Sequence, residues 1–250
     1  MGQGGAMFIK RDLILGRVIK RYQRFLADVE LGDGSLVTAH CTNTGTMKTC
    51  WVTGDEVLLE PAYNPLRKLK FTWLACKRGD TWVGVDTGIP NKVVAEAARQ
   101  DRLPGFSGLH AIRTEVNYGS ERSRIDVLAL DREDRLLYLE VKNTTLRIDV
   151  VACFPDAVTE RGTKHLRELR GMVREGHRAA IVFFVNRGDV TAFDAAREID
   201  SRYATELDQA IEDGVELLPL KVALAVDAEK NGKWMLEWSL TGLLPWSKRI

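Results

Sequence analysis

Cysteine is scarce and unpatterned in this chain. Cys41, Cys50, Cys76 and Cys153 show no Cys-x-x-Cys spacing, which argues against a zinc ribbon and leaves them as free thiols. A chain of 250 residues, 45% of them hydrophobic, buries enough core to need no disulfide staples. Long apolar runs are also missing. The longest, Ala179 to Val185, is far short of the roughly 18 to 20 residues that span a bilayer, and the N-terminus lacks a secretory apolar region. The cytoplasm is therefore the expected compartment, with no membrane partner. The four histidines are scattered, and neither a Ser-His-Asp nor a Cys-His pattern stands out. There is no internal repeat or low-complexity tract. Net charge is only +1, but residues 1–85 carry +4 and residues 86–250 carry −3. A basic front and an acidic back suit an electrostatic docking module joined to a carboxylate-bearing core. Met1 to Ala6 (MGQGGA) is Gly-rich and reads as a disordered leader.

From Asp12 to Val85, short β-branched or aromatic runs alternate with turn signals at Gly32-Asp33-Gly34, Asn43-Thr44-Gly45, Thr53-Gly54-Asp55 and Arg78-Gly79-Asp80. Strands at this spacing predict a closed or nearly closed five-stranded barrel. Gly88-Ile89-Pro90 marks the boundary. Beyond it, Asn91 is placed to cap a helix through about Arg99, followed by strands near 110–118, 123–130 and 136–142. A second helix is expected from about Thr159 to Glu175, with Leu166, Leu169 and Val173 at helical spacing and Gly176 past its end. Then follow a buried strand over 179–185, a helix over 202–213 and a strand over 215–220. Asn231-Gly232 turns a terminal β-ribbon formed by 222–226 and 233–240.

The most informative segment is RSRIDVLALDREDRLLYLEVKN, residues 122–143. It places Asp126 in one apolar strand and Glu140-Val141-Lys142 at the end of the next, which resembles the way a large nuclease superfamily holds a divalent metal. Alternation puts Ile125, Val127 and Ala129 on one face with Leu137, Leu139 and Val141. Arg124, Asp126, Leu128 and Leu130 then share the other face with Leu136, Tyr138, Glu140 and Lys142. Strands covered on both sides normally stay apolar, so charges collected at one end of a face need a reason.

If Leu130 opposes Leu136 across the five-residue loop Asp131 to Arg135, then Asp126 lies opposite Glu140 and Arg124 opposite Lys142. Paired Cβ atoms would stand about 4.5–5.5 Å apart. Two carboxylates that close repel unless a cation lies between them, which suits Mg²⁺, with Mn²⁺ as a substitute. The Val141 carbonyl would assist, and Lys142 would orient or deprotonate the attacking water. A third acid would come from Glu96 on the preceding helix or Glu115 on the next strand. The competing reading is an ion-pair cluster in which Arg124 and Lys142 neutralise the two acids. Pro155-Asp156 is set aside because it follows the Glu-x-Lys strand instead of preceding it.

Candidate phosphate contacts form several groups. Arg67, Lys68 and Lys70 stand beside Tyr63, Phe71 and Trp73, and basic side chains interleaved with rings suit single-strand binding. The alternative makes Phe71 and Trp73 core residues and the lysines a solvated loop. Lys20, Arg21 and Arg24 form a second cluster, and Arg122 and Arg124 flank the start of the Asp126 strand. Asn43-Thr44-Gly45-Thr46 offers an anion-binding turn or an ordinary hairpin. On the second helix Arg161, Lys164, Arg167 and His165 lie near the metal site. Arg161 and Lys164 are the favoured phosphate contacts there, surface ion pairs are the alternative, and His165 reads as structural.

The chain also resembles the sugar fermentation stimulation protein A family of bacteria and archaea. The match is carried by KRYQRFLADVEL (20–31), HCTNTGTM (40–47), EVNYGSERSRID (115–126), LEVKN (139–143) and FPDAVTERGTKHLREL (154–169). Thr42 stands where that resemblance leads one to expect Pro. The resemblance implies an α+β protein of the broad α/β class. Its N-terminal OB-like barrel, residues 1–85, precedes a PD-(D/E)xK nuclease-like αβββαβ domain with a mixed sheet, residues 86–250. It further implies non-sequence-specific DNA binding and a regulatory part in sugar (maltose) metabolism. An active Mg²⁺-dependent nuclease is the alternative, favoured by the intact Asp126, Glu140 and Lys142 set. Single- or double-stranded DNA and a homodimer both stay open.

Overall fold

A computed structural model describes residues 7–248, and the leader expected over Met1–Ala6 lies outside the described residues. The first part of the chain is all strand: β1 (Phe8–Tyr22), β2 (Leu26–Leu31), β3 (Leu36–His40), β4 (Glu56–Pro61), β5 (Phe71–Arg78) and β6 (Thr81–Gly84). Next come α1 (Ile89–Arg99), β7 (His110–Tyr118), β8 (Ser123–Leu130), β9 (Leu136–Thr144), β10 (Leu146–Ile148) and β11 (Val151–Phe154). The chain continues through α2 (Glu160–Arg174), β12 (Arg178–Val185), β13 (Ala192–Ala195), α3 (Ser201–Glu212), β14 (Glu216–Ala228) and β15 (Trp234–Leu243). No helix is long and apolar enough to cross a membrane.

The barrel closes as its turn spacing predicts. β1 pairs with β2, β2 with β3, β3 in parallel with β5, β5 with β4, and β4 returns to β1. Its interior is filled by Val18, Val29, Val57, Leu59, Trp73 and the buried thiols Cys41, Cys50 and Cys76. All four cysteines are buried and unpaired.

β1 runs for 15 residues because it serves two sheets. Phe8 to Leu13 pair with β15, and from Ile14 onward the strand joins β4 and β2. A register shift between Lys10 and Leu13, with Asp12 at φ 57°, bends it from one sheet to the other, as bulges do. The ribbon expected at the C-terminus is therefore the joint between the two parts of the molecule. Residues 215–220 and 222–226, read as two strands, form the single strand β14, and β15 lies between β14 and β1.

The second part has the expected αβββαβ order. β7, β8 and β9 are antiparallel, while β9, β12 and β14 run parallel, giving a mixed sheet. β12 is apolar throughout because both faces are covered. Ala180, Val182 and Phe184 pack with α1, and Ile181, Phe183 and Val185 pack with α2 and α3. α2 begins where expected, with the Thr159 hydroxyl accepting the Gly162 N–H at 3.1 Å.

Two local expectations change. α1 starts at Ile89 with Pro90 in its first turn, a position where the missing N–H is harmless, so Asn91 is inside the helix and free for another partner. The three-stranded sheet β10-β11-β13 was not foreseen. Its strands are three or four residues long, too short for alternation to register, and β11 pairs with a strand some forty residues away.

The two parts meet closely. The Gly84 N–H donates to the Asn186 carbonyl at 2.8 Å, and a Cβ at Gly84 would overlap the Asn186 side chain. Arg187, 1% exposed, donates to the carbonyls of Thr145 and Thr49 at 2.6 and 3.3 Å. It is neutralised by Asp189.

Candidate metal centre

The β8–β9 ladder has the register expected from the five-residue loop: Leu130 opposes Leu136, and pairing continues to Val127 and Leu139. There it stops. Asp126 Oδ2 accepts the Val141 N–H at 2.7 Å, and its Oδ1 accepts the Asn91 amide at 2.6 Å. Strand alternation breaks at the same point. Ile125, expected to share the face of Val127, instead packs with Leu128 and Tyr138 on the α2 side, while Val127 stays on the α1 side. Asp126 consequently borders depressions on both sides of the strand.

Glu140 sits beside it with a side chain 3% exposed. Its Oε1 accepts Lys142 Nζ at 2.6 Å and also contacts His165 Nδ1. Arg161 Nε donates to His165 Nε2 at 3.4 Å, so the ring proton lies on Nδ1 and points at Glu140. Glu140 Oε2 is buried with no hydrogen-bond partner.

The electrostatics separate the two acids. Burial and the adjacent Glu140 charge push Asp126 up to about 7, against the Val141 N–H, Lys142 and Asn91, which favour its ionised form. Burial also acts against ionised Glu140, but Lys142 and His165 together hold its carboxyl below the usual range. A recessed carboxylate oxygen without a donor, next to a second acid that repulsion keeps partly protonated, fits a hard cation bound between them.

Not every expected ligand is in place. Glu115 pairs with Arg124 at 2.6 Å, and Glu96 accepts Gln100 at 2.6 Å and lies 3.7 Å from Arg99. Both border the α1 side of Asp126, yet among the described residues no three His, Cys, Asp or Glu side chains are grouped as a metal site. Neither acid completes a trio, because each is held by a neighbouring cation or amide. Arg124 is likewise directed to Glu115 and does not neutralise Asp126 or Glu140.

Asn43, Thr44 and Gly45 of the barrel cover a cleft of about 280 Å³ whose other walls include Asp126, Glu140, Lys142, Asp156 and Arg161. Asp156, set aside from the sequence, fastens this cover: its Oδ2 accepts the Met47 N–H at 3.2 Å and the Thr46 hydroxyl at 3.4 Å. A Cβ at Gly45 would overlap its carboxylate. The signal for Asp156 and His165 was the long block 154–169, where both lie; their partners are distant in sequence and carried no local pattern.

The expected phosphate contacts divide into free and engaged groups. Trp73 is fully buried, edge-on to Trp51 with centroids 5.9 Å apart. As a core ring it offers no face to a base, which overturns its place in the binding set. Arg21 is also engaged: one guanidinium nitrogen donates to the carbonyls of Arg24, Asn43 and Gly45. Arg67 donates to Thr72 and Lys70 to the Pro65 carbonyl, whereas Lys68 is exposed beside Tyr63, which is 77% exposed. Lys20 lies 3.4 Å from Asp28, and Arg24 and Arg122 are exposed in turns. Arg161 borders the cleft, and Lys164 donates to the Glu121 carbonyl.

Comparisons with known proteins agree on the family. The model for the SfsA N-terminal OB domain matches residues 19–85, and that for the sugar fermentation stimulation protein RE domain matches residues 88–228. A sugar fermentation stimulation protein homolog from Geobacter metallireducens is 49% identical over 212 residues, covering 85% of this chain and 91% of that protein. One from Rhodospirillum rubrum is 48% identical, covering 84% and 90%. The solved structure of Pyrococcus furiosus SfsA in complex with Ca²⁺ superposes with a TM-score of 0.82 at 26% identity, over 97% of this chain and 99% of that one. An N-terminal OB barrel joined to a nuclease-like mixed-sheet domain, with this breadth of identity, makes the chain a member of the sugar fermentation stimulation protein family.

Proposed function

We propose that this protein binds DNA without sequence preference and hydrolyses phosphodiester bonds with a divalent cation, Mg²⁺ or Mn²⁺, held by Asp126, Glu140 and the Val141 carbonyl. The observation that carries the reading is the buried, partnerless Glu140 Oε2 beside Asp126. When bound, the cation supplies positive charge to the phosphoryl oxygens and a water activated near neutral pH. The chain's own groups do the rest. His165 and the Val141 N–H fix the rotamers of the two acids. Lys142, 14% exposed, sits where it can orient water and offset charge on the phosphate. Arg161 offers a phosphate contact at the mouth. The Ca²⁺ held by the Pyrococcus protein supports a hard-cation site, since oxygen ligands suit both ions.

A second reading, a DNA-binding regulator without cleavage, is favoured by one contact: Lys142 Nζ is engaged by Glu140 and so is not free for water in this arrangement. The family's name supports a regulatory role in sugar metabolism. Incubating the protein with linear, circular and single-stranded DNA in Mg²⁺, Mn²⁺ or EDTA separates the two. Cleavage that disappears in EDTA and in Asp126→Ala supports hydrolysis. Gel shifts with no cleavage on any substrate leave the regulator.

A further inference from the structure

Two depressions meet at Asp126 and Asn91. One is the polar cleft under the barrel loop at Asn43 to Gly45. The other is a groove of about 720 Å³ between α1, the start of β1 and β7, where Phe8, Ile9, Lys92 and Arg99 line the walls. The groups that would meet a phosphate are recessed within the first, because the side chains of Glu140 and Lys142 are 3% and 14% exposed. A phosphate reaches them only by entering beneath the loop.

That loop is held from four sides. Asp156 binds Thr46 and Met47. Arg21 binds the carbonyls of Asn43 and Gly45 at 2.8 and 2.9 Å. The Thr42 hydroxyl accepts the Thr87 N–H at 3.0 Å. Buried Arg187 ties the carbonyls of Thr49 and Thr145 together across the joint. A cover fixed in this way leaves room for one backbone. In a duplex, the complementary strand runs beside every phosphate and would collide with the cover.

We propose that the strand acted on is single. It enters beneath Asn43–Gly45, passes Asp126 and leaves along the α1 groove, where Phe8 and Ile9 give apolar surface to bases and Lys92 and Arg99 meet phosphates. The occupant follows from the groove's continuity with the cleft and from its mixture of cations and apolar surface, the combination that holds single strands. The inference rests on the proposed DNA binding and adds the form of the strand and its exit path.

The test is fluorescence anisotropy with an end-labelled single-stranded DNA oligonucleotide, and with the same oligonucleotide annealed into a blunt duplex, in Ca²⁺. The single strand should bind at least about tenfold tighter than the duplex. Lys92→Glu combined with Arg99→Glu should weaken single-strand binding about tenfold or more, and reduce the slope of log K against log salt by about 1.4, two contacts at about 0.7 each. Both residues are exposed, and an unchanged melting temperature and calorimetric Mg²⁺ affinity would show that fold and metal site persist. Equal affinity for the blunt duplex, or wild-type affinity in the double variant, overturns the proposal. A blunt duplex cut internally in Mg²⁺ as fast as the single strand overturns it too, while leaving hydrolysis intact. Failure to bind either DNA removes the broader reading as well.

Discussion

The carboxylate of Asp126 accepts the backbone N–H of Val141 at 2.7 Å, one step beyond Val127–Leu139, the last regular pair of the β8–β9 ladder. A side chain thus takes the place of a strand carbonyl and is held against Glu140. Repulsion and burial raise Asp126 from its ordinary 3.8 to about 7. Between those values the folded, metal-free protein keeps a proton that the unfolded chain has released. Its stability therefore falls as pH rises from about 4 to about 7. Melting in EDTA should show this slope, and Asp126→Asn should flatten it. Because Mg²⁺ must displace that proton, its affinity should climb about tenfold per pH unit below 7 and level off above. Calorimetry in buffers of different ionisation enthalpy counts the proton released.

His165 acts through Glu140. Its Nδ1–H contacts the Glu140 carboxylate, and Arg161 fixes the tautomer from the other side. Partners of a metal-binding carboxylate typically contribute 10- to 100-fold to affinity. His165→Ala should weaken Mg²⁺ binding by about that factor, read by titration calorimetry. His165→Gln, which retains a donor, should recover part of it. Equal Mg²⁺ affinity in all three proteins would assign His165 to packing alone.

The readable and unreadable parts of the sequence divide by range. The Asp126–Glu140 register was legible because loop length and alternation are local, and Leu130–Leu136 pairs as expected. The face of Ile125 was not, since alternation breaks where Asp126 turns to Asn91, 35 residues away, and to Val141. Trp73 shows the same limit. An aromatic beside basic residues looks alike whether the ring lines the barrel or its surface, and only strand closure decides that it points inward. The five-stranded barrel itself was legible from turn spacing, whereas the sharing of β1 with β15 depends on a pairing across almost the whole chain. Asp156 was passed over because the contact that gives it meaning, with Thr46 and Met47, lies 110 residues back.

Gly45 and Asp156 form a tight contact that is open to a double-mutant cycle. A methyl group at position 45 would overlap the Asp156 carboxylate, so Gly45→Ala should destabilise the protein by about 1–3 kcal/mol through overpacking. Asp156→Ala removes acceptors from Thr46 and Met47 but also makes room. In the double variant, Gly45→Ala should therefore cost at least about 1 kcal/mol less than it does alone, a coupling expected only of residues in contact. Urea denaturation of the four proteins measures it, and strict additivity would dissociate the loop from Asp156.

Asp189 is the charge that makes buried Arg187 tolerable. Its carboxylate takes Arg187 at 2.6 and 2.8 Å and Arg147 at 2.5 Å. Burial acts against its ionised form, but these two guanidinium groups hold it at about 2. The unfolded chain binds this proton near 3.8, so the stabilisation is complete above that value and is lost as pH falls from about 4 to about 2. Asp189→Asn should then lose the acid-sensitive part of its stability and, at neutral pH, leave Arg187 buried without a counter-charge. Breaking a buried pair in this way costs about 3–5 kcal/mol; with Asp189 17% exposed, the lower end is expected. Because Arg187 also carries the carbonyls of Thr49 and Thr145, the loss should loosen the barrel against the nuclease-like part. Hydrogen exchange should rise at residues 43–50 before it rises in β12, and uniform exchange across both would separate Arg187 from the joint.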